Sequence, residues 1–254
     1  DGKGEIIEYA VKMRELPQDA IMEGLLRKGE VDEREIETIA KLLADFHSKA
    51  KTGEGVDEYG SIAQITRNWV QNFEQTRKMR GTVVEPFIYD FIEKNIMSYI
   101  GRNKEMLEDR MVGNWIRECH GDVHSGNIFI LKDRAEIYIF DAIEFNHAFS
   151  CSDVVAEIAF LVMDLEFHNK HELAKHFVKC YSQHAKDLSL YKLLPFYKCY
   201  RAYVRAKVIG FKLGDPSLDE KEKKKATKLA KKYYNLAYQY AKELFQQQFN
   251  PYLF

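Results

Sequence analysis

The sequence predicts an α+β fold in which helices dominate and strands are few. Three observations carry that reading. Apolar residues recur at helical spacing over most of the chain beyond residue 17. One short polar loop, Cys119 to Asn127, leads into two β-rich runs, Ile128 to Leu131 and Glu136 to Phe140, joined at Lys132-Asp133-Arg134. The 254 residues, 46% of them hydrophobic, can bury a substantial core as one domain or as two modest lobes.

Taken in order, residues 5 to 14 read as a strand, because Ile6, Tyr9 and Val11 are good strand formers and Pro17 ends the run. From Asp19 the chain turns helical: Ile21, Leu25 and Leu26 form a short apolar face that Gly29 closes. Asp32 caps a helix carrying Ile36, Ile39, Ala40, Leu43 and Phe46-His47. His47, at the end of that helix, reads as a structural or solvated histidine rather than a catalytic one. Lys51 to Gly60 is a polar, Gly-rich loop. Two helices are expected over 61–110, one with Ile65, Trp69, Val70 and Phe73, the other with Phe87, Phe91, Ile92, Ile96 and Ile100. Met106 to Ile116 then leads into the polar loop. After it, Ser152 or Asp153 caps a strongly apolar helix through Val162, and Asp164 to His168 reads as its polar end.

Further on, Lys198, Arg201 and Arg205 share one helical face, with Tyr200 and Tyr203 interleaved and Lys207 nearby. Two readings stand side by side: structural ion pairs with carboxylates such as Asp153 or Glu157, or a receptor for an anionic acceptor. Glu220 to Lys232 is a mixed-sign solvated face, and the tail from Tyr233 is a helix packed on the body.

Composition excludes several classes. A net charge of −1 with 30% charged residues gives no basic field for nucleic acid. No apolar run approaches the ~20 residues that would span a membrane. Asp1-Gly2-Lys3-Gly4-Glu5 is no signal peptide, and Cys119, Cys151, Cys180 and Cys199 form no Cys-x-x-Cys pair, so the expectation is a cytoplasmic protein with reduced thiols.

The chemistry concentrates in Cys119-His120-Gly121-Asp122-Val123-His124-Ser125-Gly126-Asn127 and the following Phe140-Asp141. His120-x-Asp122-x-x-x-x-Asn127 has the spacing of a phosphoryl-transfer catalytic loop, and Asp141 stands where a metal-binding Asp follows. An Asp in the first position accepts the proton of the attacking hydroxyl, while the Asn oxygen and the later Asp suit a hard cation such as Mg²⁺.

His-Gly-Asp-x-His-x-x-Asn followed by a strand and Phe-Asp resembles the aminoglycoside phosphotransferase and choline kinase superfamily, and within it an uncharacterised branch of the aminoglycoside phosphotransferase family. Glu8 to Arg14, Ala44-Asp45-Phe46-His47, Asn72 to Thr76, Phe140 to Asn146 and Tyr200 to Lys207 share the likeness, so that it covers nearly the whole chain. The resemblance implies a protein-kinase-like fold, mostly its helical carboxy-terminal lobe. Residues 1–16 would be a minimal or truncated remnant of the amino-terminal lobe and hinge, and 17–254 the lobe carrying the catalytic loop. It implies an ATP- or GTP-dependent, Mg²⁺-requiring phosphotransferase acting on a small-molecule hydroxyl. Lys12, Met13 and Arg14 would face the nucleotide base. Asp122 would be the base, His120 the residue holding the loop through the main chain near Asp141, and His124 a structural or phosphate-facing residue. Asn127 and Asp141 would bind metal, and Arg201 and Arg205 the acceptor. Asp153 resembles the Asp of the family's Asp-Leu-Ala signature, fixing its helix and the preceding loop.

The sequence departs from the family in two places. No phosphate-covering loop, ATP-pairing Lys or partner Glu precedes residue 5, so the chain is either a fragment or a stripped-down relative. Glu144 follows Asp141 by three residues rather than two, and is carried as a candidate second metal ligand. Two other functions compete. A non-catalytic, kinase-like binding or regulatory protein would explain the missing strands. A metal-dependent phosphoesterase would explain Gly121-Asp122-Val123-His124, but its further Gly-Asp and Asn-His blocks are absent.

Overall fold

A computed structural model describes residues 8, 9, 12 and 15–247. Ten helices and four short strands are formed among them. After a single 3₁₀ turn at Gln18–Ala20 come α1 (Met22–Lys28) and α2 (Glu33–Lys49). Gly29 ends α1 at φ +76°, a left-handed cap that costs glycine little. Asp32 caps α2 in a reciprocal box with Glu35, as its position before the periodic run predicts. Of the segment read as a strand, only Glu8, Tyr9 and Lys12 are described, and none of the three lies in a strand.

The stretch 61–110 holds three helices rather than two: α3 (Ile62–Thr76), α4 (Pro86–Arg102) and α5 (Lys104–Val112). Asn103 breaks the helical run, and its side chain bonds back to the Tyr99 carbonyl. The lead-in to the loop is therefore structured, as α5 followed by β1 (Ile116–Glu118). The Gly-rich loop is tied down too, since Thr52 donates to the Ile116 carbonyl and Glu118 N–H to the Lys51 carbonyl.

β2 (Ile128–Leu131) and β3 (Glu136–Ile139) form the expected antiparallel hairpin, with Ile128 opposite Ile139. Ile21 bridges Phe129, so the start of the described body runs beside β2. A one-turn helix, α6 (His147–Ser150), precedes β4 (Cys151–Asp153), which pairs antiparallel with β1. The centre is α7 (Val154–Phe167), whose residues from Val154 to Leu165 are all buried. A helix buried all round has to be covered on every side. α8 (His171–Ala185) and α9 (Leu190–Phe211) pack on it, α2 packs on α8, and α10 (Glu220–Gln247) packs on α9 and α4. No helix of the described residues is long and apolar enough to cross a membrane, and all four cysteines are buried free thiols.

Candidate active site

The polar loop runs from the end of β1 to the start of β2 against the buried face of α7. Gly121 takes φ +88° there, and a Cβ would lie 2.9 Å from the Phe149 carbonyl oxygen, so only glycine fits. Two carboxylates of α7 hold the loop backbone. Fully buried Glu157 accepts from the N–H groups of His120 at 3.0 Å and Gly121 at 3.1 Å, and Asp164 accepts from Ser125 N–H at 2.8 Å. Burial pushes Glu157 up, but His47 and the two backbone donors outweigh it and hold its carboxyl below the usual range.

Neither role is visible in a single sequence. The reading of Asp164 as the polar end of a helix is corrected, because that carboxylate is buried and anchors the loop. The one available signal was acidic residues, Glu157 and Asp164, amid the valines, isoleucines and leucines of α7. His47 is structural. Its Nδ1 lies 2.7 Å from the Tyr181 hydroxyl and its Nε2 3.4 Å from Glu157.

Around Asp122 the donors can be assigned by elimination. Gly126 N–H donates to His124 Nδ1 at 3.1 Å, so a neutral His124 carries its proton on Nε2, 3.5 Å from Asp122 Oδ2. Asn127 Nδ2 donates to both the Asp122 carbonyl and Oδ2, each at 3.0 Å. Both partners are acceptors, which fixes the amide and turns its oxygen away from them. Burial raises the Asp122 carboxyl, but His124, Arg201 and Asn127 together hold it below the usual range. It is therefore a carboxylate at neutral pH, with Oδ2 engaged and Oδ1 carrying no hydrogen bond among the described residues.

The segment after β3 is laced to the same loop. Phe140 N–H donates to the Asn127 carbonyl and Ile143 N–H to the His120 carbonyl, both at 2.9 Å. Between them Asp141 is exposed and takes φ +65°, a conformation that a non-glycine residue adopts at a cost. The His120 ring does not reach this segment as expected. Its Nδ1 accepts weakly from Asp122 N–H at 3.4 Å, its Nε2 is buried without a partner, and its backbone carbonyl makes the link instead.

On the far side of Asp122 lies a cavity of about 630 Å³ between α3 and α9. Asp122 and Gly121 form one wall, Gln64, Asn68 and Asn72 another, and Tyr200, Arg201, Arg205 and Lys207 a third. Asn72 is buried and lines this cavity. Glu144 is not brought to this cavity. It is exposed and lines a separate space of about 420 Å³ with His120, Lys51 and Glu118. Lys12 is exposed in the structure, and Met13 and Arg14 lie outside the described residues.

The ion pairs suggested for α9 are not the ones formed. Lys198 pairs with Glu166 at 3.0 Å and with Glu243 at 3.8 Å. Arg201 donates to the carbonyls of Ala156 at 2.8 Å and Gly121 at 3.1 Å, making it a further anchor of the loop. Asp153 caps α7, as expected, and its partner is Arg110 of α5, which also binds Asp187 and Ser189. Sequence reading missed Arg110 altogether, because its partners lie far along the chain.

No protein-family model matches the chain. It is 28% identical over 218 residues to uncharacterized proteins of Mycobacterium bovis and Mycobacterium tuberculosis, which covers 85% of this chain and 43% of theirs. The chain thus spans less than half the length of those relatives. A solved ethanolamine kinase of Plasmodium vivax superposes with a TM-score of 0.42 and 17% identity, over 80% of this chain and 60% of that one. The functional reading therefore rests on the site itself.

Proposed function

We propose that the chain carries the catalytic lobe of an ATP- or GTP-dependent phosphotransferase acting on a small-molecule hydroxyl. One observation carries the reading: Asp122 is tied through Oδ2 to Asn127 on one side and lines the α3–α9 cavity on the other. A general base in phosphoryl transfer needs that position between nucleotide and acceptor. Asn127 and His124 fix the rotamer of Asp122, leaving Oδ1 to accept the acceptor's hydroxyl proton. The low carboxyl pKa keeps the group ionised and ready to orient that hydroxyl. The Asn127 amide oxygen and the Asp141 carboxylate form an all-oxygen donor set that fits Mg²⁺, which when bound would neutralise phosphate oxygens. Backbone hydrogen bonds through Phe140 and Ile143 keep Asp141 in register with the loop. The nucleotide would lie toward the β2–β3 side, where Tyr138 and Phe140 are each 40% exposed.

The test is ATP and GTP consumption by the full-length protein against pooled alcohols, sugars and amino alcohols, with Mg²⁺ present. Acceptor-dependent release of nucleoside diphosphate supports the reading. No turnover with any class, together with no nucleotide binding, defeats it in favour of a binding protein.

A further inference from the structure

Four cations and two carboxylates line the α3–α9 cavity. The carboxylates do little to balance the cations. Asp153 is taken by Arg110 in a two-pronged pair at 2.8 Å, and Asp122 is engaged by His124 and Asn127 and faces Arg201, which leaves neither carboxylate to Arg205 or Lys207. Among the described residues, Arg205 and Lys207 form no ion pair at all. Lys207 Nζ bonds only neutral amide oxygens, of Asn72 at 2.6 Å and Gln75 at 2.8 Å. The Arg205 guanidinium lies 5.8 Å from the ring centres of both Phe160 and Tyr233 and interacts with the neutral Tyr233 hydroxyl, and its Nε is buried without a hydrogen bond. Beside them the Asn72 Nδ2 is buried with only the Tyr200 hydroxyl near it and no hydrogen bond of ordinary length, its orientation set because Lys207 takes the amide oxygen.

The contrast along α9 is instructive. Lys198, outside the cavity, is matched by two glutamates. Arg205 and Lys207, at the cavity, are matched by none. Withdrawing cations from water without a counter-charge is costly, and a buried donor left unpaired adds to the cost. A ligand bearing negative charge and acceptor oxygens would relieve both.

We propose that the acceptor is a small hydroxylated anion, carrying a carboxylate or phosphate that Arg205, Lys207 and the Asn72 amide receive while its hydroxyl reaches Asp122. This rests on the phosphotransferase reading for the hydroxyl's role, but the anion site stands on its own side chains. Arg201 is a positioning residue, since its donors hold the loop and α7. A cationic amino alcohol is disfavoured in the same cavity by like charge.

Isothermal titration calorimetry of the full chain without nucleotide tests this, using glycerate and glycerol 3-phosphate as anionic probes and glycerol and ethanolamine as neutral and cationic ones. At least one anionic probe should bind, and the better of the two names the anionic group. Arg205→Met and Lys207→Met keep the apolar stems and should each weaken that binding by about tenfold or more, as expected for a lost charge-assisted contact. Thermal unfolding of both variants checks that they are folded. Failure of both anionic probes to bind overturns the proposal, as does equal binding of glycerol or ethanolamine, or wild-type affinity in both variants. The two proposals fail separately. Anion binding without nucleotide turnover would refute the phosphotransferase and keep the anion site, whereas turnover of ethanolamine alone would do the reverse.

Discussion

Glu157 and Asp164, seven residues apart on α7, hold the two ends of the polar loop by its backbone N–H groups. That spacing is two helical turns, so both carboxylates leave the same face of a buried helix. The loop is fixed by the core beneath it, and Asp122, His124 and Asn127 are left partly exposed.

Glu157→Gln tests this arrangement. Its amide has one acceptor oxygen where the carboxylate has two, so one of the two loop N–H groups loses its partner. A loss of about 1–3 kcal/mol is expected, the cost of an unsatisfied buried donor, read by urea unfolding at neutral pH. The wild-type pH profile supplies the second arm. The folded-state pKa of Glu157 lies below its ordinary value of 4.5. Its contribution is therefore full above 4.5 and lost as pH falls through the folded value. The variant's acid limb should be correspondingly flatter. An unchanged limb would remove Glu157 from this role.

Gly121→Ala should be severely destabilising or insoluble. The positive φ and the 2.9 Å approach to the Phe149 carbonyl both act against any Cβ. A chain that melts at the wild-type temperature would contradict the described turn.

Arg110 is a stability prediction remote from the chemistry. It is 3% exposed, forks onto Asp153, and reaches Asp187 and Ser189. Arg110→Ala strands two buried carboxylates and should cost about 3–5 kcal/mol, measured by chemical denaturation. A cost below about 1 kcal/mol, the range of exposed pairs, would show that the cluster is solvated.

These residues also show what the sequence could reveal. The β2–β3 hairpin, the Asp32 cap and the Gly29 stop were readable because each depends on neighbours in the chain. So was the role of Asp153 as a cap. α5 was missed because its apolar positions are sparse; it places Arg110 and Leu107 against the core and little else. The partners of Arg110, Glu157 and Asp164 lie 36 to 110 residues away, beyond any local pattern. The α9 cations were recognised as one face, but spacing alone could not tell that Lys198 is paired while Arg205 is not. The motif around Asp122 was legible for the opposite reason, since its members are close in sequence.

Asp141→Asn separates metal binding from folding. Asn tolerates the left-handed conformation observed at φ +65° nearly as well as Asp, and the residue is exposed, so stability should change little. Replacing a charged oxygen ligand by a neutral one should sharply weaken Mg-nucleotide binding. A thermal shift with Mg-ATP in the variant equal to that of the wild type would remove Asp141 from the metal site.

Asp122 is the most exposed assignment. Asp122→Ala should lower turnover by about 10²–10⁴-fold, the range for loss of a general base, while nucleotide affinity stays close to wild type. The reason is geometric: Oδ2 faces Asn127 and His124, and the opposite side lines the α3–α9 cavity, the proposed acceptor site. Removing the carboxylate also frees the Asn127 amide from one of its two acceptors, leaving the Asp122 carbonyl to hold it. Some loss of metal affinity could mimic a lost base. Asp122→Asn controls for this, because its side-chain oxygen can still accept from Asn127 while accepting no proton. A real base predicts that both variants lose turnover together and that raising Mg²⁺ rescues neither. If excess Mg²⁺ restores Asp122→Ala, the residue positions the metal site and the base must be sought elsewhere.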